Sequence, residues 1–209
     1  MNILYQIKNN KLSHMKVKSF NLEKDLQSLI EDNLQEILGL ILVKSEFTIR
    51  QKRFDSLCFD EANKSFVIIE YKNTKSSSVI EQGYEYFSLM LNNKDTFIVE
   101  FNEKFNMSLR RQDVDWGQSK IIFIAPEFTQ SQKNIHLSGM PFELFEIKLF
   151  EKNIVSLNKV ITDSNESVNQ LKSYKKNSKI SQISDQIKIF KEEDLLKWEN
   201  TKELYFDLK

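Results

Sequence analysis

The sequence predicts an α/β domain, a sheet flanked by helices. Three observations carry this. Over residues 21–38, apolar side chains recur at three- and four-residue steps, which marks a helix packed on one face. Ser65–Tyr71 and Lys120–Ala125 are short, almost continuous apolar runs, the pattern of strands buried on both faces. Helical periods alternate with these runs in the coarse order helix, strands, helix, strand, helix, strands.

Taken in order, residues 1–20 hold four lysines and no acid, and Tyr5 and Ile7 alternate with polar neighbours as in a short strand or extended arm. The first helix runs from Asn21 to Leu38, with Leu22, Leu26, Leu29, Ile30, Leu34, Ile37 and Leu38 on its apolar face. Asn21 is its expected N-cap and Gly39 its stop. Glu46–Ile49 and Arg53–Phe59 read as strands, the second with imperfect alternation, and Asp60–Lys64 has turn composition. A helix opens at Ser76–Ser78, where Ser78 and Glu81 have capping-box spacing. A further helix is expected over Asp95–Phe105. Lys120–Ala125 is stopped by Pro126, Thr129–Leu137 reads as a short helix, and Phe142–Phe150 with Ile154–Val160 as a strand pair.

Composition changes after Val160. Of the 26 residues from Asp163 to Lys188, 17 are Ser, Asn, Gln or Lys, too polar to offset the entropy of ordering. The expected organisation is therefore a domain over 1–160, a polar linker over 161–190 and a short helical segment over 191–209.

The 209 residues carry 30 basic and 30 acidic side chains. A net charge of zero argues against a protein that coats nucleic acid by bulk positive charge, though not against a local basic groove. One cysteine, Cys58, excludes an internal disulfide and a cysteine zinc site. His14 and His136 have no ligand partners at recognisable spacing. The longest apolar run, Ile37–Val43, is seven residues, far short of a membrane span, and no signal-peptide order opens the chain. The expectation is a cytoplasmic protein with no membrane partner. Cys58 and Trp116 read as core, Arg110–Arg111 as a solvated pair, and the lysines over 172–179 as part of the linker.

One constellation carries chemistry. Asp55 lies on a strand, and Glu70 and Lys72 lie two apart at the end of the buried strand, on one sheet face. If the two strands form a hairpin, Asp55 approaches Glu70. Two carboxylates so placed can hold Mg²⁺, which takes oxygen ligands and keeps several waters. A lysine beside them can hold or deprotonate a water, or offset charge developing on a phosphorus centre. Gln82 and Tyr86 share a helix face at i and i+4, and Glu23 opens the first helix. The bland alternatives are a surface ion pair for the trio, a polar helix face for Gln82 and Tyr86, and a first-turn acid favoured by the helix dipole for Glu23.

Asp55, Glu70-x-Lys72, Gln82-x-x-x-Tyr86 and a preceding helix glutamate together resemble the PD-(D/E)XK phosphodiesterase superfamily in its RecB-like form. The residue before Asp55 is Phe54 where the name motif has proline. Glu23 to Leu34 resembles the leading helix of NucS-type endonucleases. Residues 20–160, including Val114–Ser119 and Pro141–Glu146, resemble a microbial family often labelled "predicted transport protein", a label that the absence of a long apolar run does not support.

The resemblance implies a restriction-endonuclease-like core with a central mixed β-sheet flanked by helices. It implies hydrolysis of nucleic-acid phosphodiesters, DNA before RNA, in repair, restriction or defence. Asp55 and Glu70 would hold Mg²⁺ or Mn²⁺ with Glu23 in support, and Glu31 stands as the substitute for Glu23. Lys72 would activate or orient water, and Gln82 and Tyr86 would position the lysine or a phosphate. The other reading is an inactive nuclease-fold module that binds nucleic acid or a protein partner. A homodimer is expected by analogy of fold alone.

Overall fold

The computed structural model describes residues 3–73, 79–133 and 141–161. The chain begins with a separate hairpin of β1 (Tyr5–Lys8) and β2 (Lys11–His14), which pair antiparallel as their own two-stranded sheet. Then come β3 (Val17–Lys18), α1 (Glu23–Glu31), α2 (Leu34–Leu38), β4 (Ile41–Ile49), β5 (Lys52–Asp60) and β6 (Ser65–Tyr71). They are followed by α3 (Val79–Asn92), α4 (Lys94–Phe105), β7 (Lys120–Ala125), α5 (Gln130–Lys133), β8 (Phe142–Phe150) and β9 (Ile154–Lys159).

The seven strands from β3 to β9 form one sheet. β4, β5 and β6 are an antiparallel meander. β6, β7 and β8 run parallel, with α3 and α4 in the crossover between β6 and β7. β9 pairs antiparallel along one edge of β8. On its other edge β8 pairs with β7 as far as Glu146, then with β3 at Leu149 and Phe150. β3 therefore lies beyond the carboxyl end of β7, and the sheet has a break between them. This is the α/β class, with the central mixed sheet and flanking helices that the sequence predicts.

Each face of the sheet has its own core. The face under α3 and α4 is aromatic, with Phe47, Phe54, Phe59, Phe66, Phe97 and Phe101 in mutual edge or tilted contact. The face under α1 is aliphatic, with Leu26, Ile30, Val67, Ile69, Ile122 and Ile124. Adjacent residues of β6 alternate between the two faces, which is why Ser65–Tyr71 is buried throughout and reads as an unbroken apolar run.

Several elements differ from the expectations. The helix over 21–38 is two helices with a break at Asp32–Asn33. Asp32 N–H already bonds the Ser28 carbonyl, and the Asn33 side-chain amide donates to the Leu29 carbonyl, which closes α1 there. Leu22, not Asn21, is the N-cap: Asp25 in the first turn accepts the Leu22 N–H and does the work of a capping side chain. Gly39 does end α2, in the left-handed conformation (φ 66°). The apolar run 37–43 is thus divided between the end of α2 and the start of β4. α3 begins at Val79, but its expected cap, Ser78, lies outside the described residues. So do His136, residues 134–137 of the expected short helix, and everything from 162 on, including the expected linker and C-terminal helix. Trp116 is partly buried and packs against the aromatic core, as expected. It stacks on Phe66 at 5.5 Å, with the Lys94 ammonium 5.2 Å from its ring. Arg110 pairs with Asp113 as a solvated surface pair. Cys58 is fully buried, and burial pushes its thiol up, so it behaves as a small core side chain.

Candidate metal centre

The imperfect alternation in β5 is the local device that builds the site. Residues two apart on a strand ordinarily share a face. Phe54 and Ser56 do not: Phe54 joins the aromatic core, while the Ser56 hydroxyl turns to the α1 side. On β4, between the register pairs Ser45–Ser56 and Phe47–Phe54, Glu46 sits at φ 51°, a left-handed conformation that costs about 1–3 kcal/mol in a non-glycine residue. Asp55, the residue at which β5 turns over, directs its carboxylate back into the sheet. Its Oδ2 accepts the backbone N–H of Tyr71 at 2.9 Å, just where the β5–β6 ladder runs out.

Glu70 is one residue before that amide, on the α3 face, and is only 3% exposed. Its Oε1 accepts from the Lys72 ammonium at 2.7 Å and from the Gln82 side-chain amide. Its Oε2 is buried with no hydrogen-bond partner. Gln82 Nε2 also lies 2.7 Å from the Tyr86 oxygen, and the Tyr86 hydroxyl donates to the Arg53 carbonyl at 3.0 Å. Helix α3 reaches the sheet closely because Gly83 follows Gln82. A Cβ there would stand 2.9 Å from Phe142 Cζ and 3.1 Å from Phe123 Cζ.

Glu23, the first residue of α1, accepts the backbone N–H of Asn73 at 3.1 Å and so ties the helix start to the end of β6. Glu31 faces elsewhere. Its Oε1 accepts from Gln27 at 2.8 Å and from the Ser56 hydroxyl at 2.6 Å, beneath α1. Of the two helix glutamates, Glu23 is the one beside Asp55, Glu70 and Lys72.

The electrostatics follow from burial. Desolvation, then the neighbouring Asp55 charge, pushes the Glu70 carboxyl up to about 7, against the pull of Lys72 and Gln82. Burial also raises Asp55, outweighing the Tyr71 amide and Lys72, and the Glu23 charge adds to it. Burial works against the charge on Lys72, but Glu70, with Glu23 and Asp55, more than reverses this, so the ammonium is held more firmly than usual. Burial, with the Glu70 charge, pushes the Tyr86 phenol up to about 12, which keeps it a hydrogen-bond donor at neutral pH.

Three further residues support this arrangement, and sequence reasoning singles out neither Gln27 nor Ser56 among them. Gln27 is 5% exposed, and its amide donates to the Asp55 carbonyl at 2.9 Å, to Ser45 Oγ at 3.0 Å and to Glu31. Ser56 bridges Glu31 and the Tyr71 hydroxyl, the latter 3.1 Å away. Tyr71 thus anchors the end of β6 by its side chain as well as its amide. A polar residue at 27, between apolar 26 and 30, is ordinary on an amphipathic helix, so no local pattern in the sequence marks this cluster.

The trio, the two α3 side chains and Glu23 are therefore brought together. Among the described residues no three His, Cys, Asp or Glu side chains stand close enough to form a complete cage for an ion. No helix among them is long and apolar enough to cross a membrane.

The chain is 42% identical over 211 residues to an uncharacterised protein of Haemophilus influenzae, covering 99% of this chain and 69% of that one. No family model matches. Among solved structures it is similar to a repair endonuclease from Pyrococcus abyssi, with 19% identity, 62% of this chain covered and a TM-score of 0.37. It is also similar to EndoMS in complex with double-stranded DNA, with 13% identity, 69% covered and a TM-score of 0.42. A third is SfsA of Pyrococcus furiosus in complex with Ca²⁺, with 13% identity, 71% covered and a TM-score of 0.33. The chain spans 49%, 64% and 75% of these three structures in turn.

Proposed function

The chain belongs to the family of the Haemophilus influenzae protein, and we propose that it is a Mg²⁺- or Mn²⁺-dependent nuclease that hydrolyses phosphodiester bonds, with DNA the expected substrate. One observation carries this reading: a carboxylate oxygen, Glu70 Oε2, buried without a partner beside a second carboxylate and a lysine. A buried carboxylate left half-satisfied is costly unless a cation completes it.

The donor set fits a hard divalent ion. Asp55 and Glu70 would hold it, with Glu23 in support and water filling the remaining positions, as Mg²⁺ prefers when a protein offers one or two carboxylates. Such an ion supplies Lewis-acid polarisation of a phosphoryl oxygen and lowers the pKa of a bound water. The protein's own groups do the rest. Lys72, held as a firm cation by three carboxylates, orients water and offsets negative charge on the phosphate. Gln82 fixes Glu70, and Tyr86 locks Gln82 to the start of β5.

The test is cleavage of a mixed panel of single- and double-stranded DNA and RNA in Mn²⁺, comparing wild type with Glu70→Ala and Lys72→Ala. The expected result is metal-dependent cleavage by wild type and a loss of about 10²-fold or more in each variant. If the purified chain binds no divalent metal and both variants match wild type, the reading fails. The incomplete cage among the described residues favours a second reading, a nuclease-fold module that binds without cutting. Retention of DNA in EDTA with no cleavage in Mg²⁺ would select it.

A further inference from the structure

The break in the sheet between β7 and β3 opens a cleft of about 720 Å³. Its floor is β8 over Glu146–Leu149, one wall is Val17–Phe20, and the other is Pro126–Glu127 with Lys133. It lies at the carboxyl ends of the parallel strands, where open α/β sheets hold their ligands. It adjoins the candidate metal centre at Asn73. That residue lines the cleft, and its N–H is held by Glu23, while its neighbour Lys72 bonds Glu70. The wall 17–20 leads directly into α1 and Glu23.

Three lysines and two glutamates line this cleft. Glu146 is paired with Lys133 at 2.8 Å. Lys18 and Lys148 form no ion pair among the described residues, and Ser19 and Asn73 add hydrogen-bonding groups to the lining. We propose that the cleft carries the sugar–phosphate backbone of one DNA strand adjoining the bond to be cut, with Lys18 and Lys148 as its phosphate contacts. This rests on the nuclease reading of the adjacent site. The volume is too small to enclose a duplex and adequate for one strand. A neutral chain needs such a local track, because its bulk charge supplies no attraction.

The experiment measures binding of the full chain to a 30-nucleotide single-stranded DNA as a function of salt, for wild type, Lys18→Ala/Lys148→Ala and the hairpin control Lys8→Ala/Lys11→Ala, alongside cleavage by wild type in Mn²⁺. Each phosphate contact contributes about 0.7 to the slope of log affinity against log salt for a single strand, so the cleft variant should lose about 1.4. The control should match wild type. Mn²⁺ affinity and the melting temperature of the cleft variant should be unchanged, which separates lost contacts from lost structure. If wild type cleaves and the cleft variant keeps the full slope, the cleft proposal falls and the nuclease reading stands. If the slope falls as expected but wild type never cleaves, the cleft stands as a strand-binding track, and the bond to be cut beside it falls with the nuclease reading. If wild type neither binds nor cleaves, both fall.

Discussion

The Asp55 carboxylate accepts the backbone N–H of Tyr71 at 2.9 Å, so a proposed metal ligand is also the cap of the central strand. Asp55→Ala leaves that amide without its partner and should cost about 1–3 kcal/mol. Asp55→Asn retains an acceptor oxygen and should melt close to wild type while losing the second carboxylate and its cleavage. Melting curves of the two variants, with cleavage assayed in parallel, separate the capping role from the chemical one. Equal melting temperatures for both would remove the capping role.

Glu70 gives a stability effect with a defined sign. Its carboxyl titrates at about 7 in the folded chain against 4.5 ordinarily. With the folded value raised, its stabilising contribution is complete below about pH 4.5, declines as pH rises and is gone above about 7. In EDTA, Glu70→Gln should therefore be more stable than wild type at pH 8, and the gap should close as pH falls towards 4.5. Thermal melts across that range check it. A gap that is constant or reversed contradicts the burial argument.

Gly83→Ala sets two effects against each other. Alanine favours a helix over glycine by up to about 1 kcal/mol. Here its methyl would meet the packed rings of Phe142 and Phe123, and overpacking a core costs about 1–3 kcal/mol. Contact with two buried rings wins, so the variant should be destabilised. Since α3 must also lift from the sheet, Gln82 should lose its hold on Glu70. Denaturant unfolding and the cleavage rate should fall together.

Gln27→Leu removes an amide whose two N–H groups serve three acceptors, the Asp55 carbonyl among them, and leaves Glu31 with one donor fewer. The expected loss is about 1–3 kcal/mol. Because Gln27 holds the backbone that carries Asp55 and lies outside the proposed substrate path, kcat should fall with KM nearly unchanged. A change in KM alone would place Gln27 in substrate binding instead.

The elements with clean periods were legible in the sequence. β6 and β7 are buried on both faces and read so. Gln82 and Tyr86 share a helix face by spacing alone, and both engage one another in the structure. The hairpin that unites Asp55 and Glu70 follows from two strands separated by a turn. Other features depend on tertiary context. Gln27 looks like an ordinary polar helix position until Ser56 and the Asp55 carbonyl are placed beneath it. The left-handed Glu46 has none of the glycine or asparagine that marks such conformations. The break in the first helix falls at Asp32–Asn33, inside a pattern whose apolar spacing continues across it. The cleft between β7 and β3 arises from pairing between residues far apart in sequence, which no local pattern encodes.

Tyr71 and Lys72 are consecutive, yet their amides close circuits of very different length. The Tyr71 amide is secured by Asp55, across a hairpin with a four-residue turn. The Lys72 amide is secured by the Ile124 carbonyl, which reaches it only after α3 and α4 have crossed the sheet. Longer closures cost more entropy and form more slowly. During refolding, pulse-labelled hydrogen exchange should therefore protect Tyr71 before Lys72. The two carboxylates would meet while their flank is still open, and the chain's order of assembly could be timed from one pair of neighbouring amides.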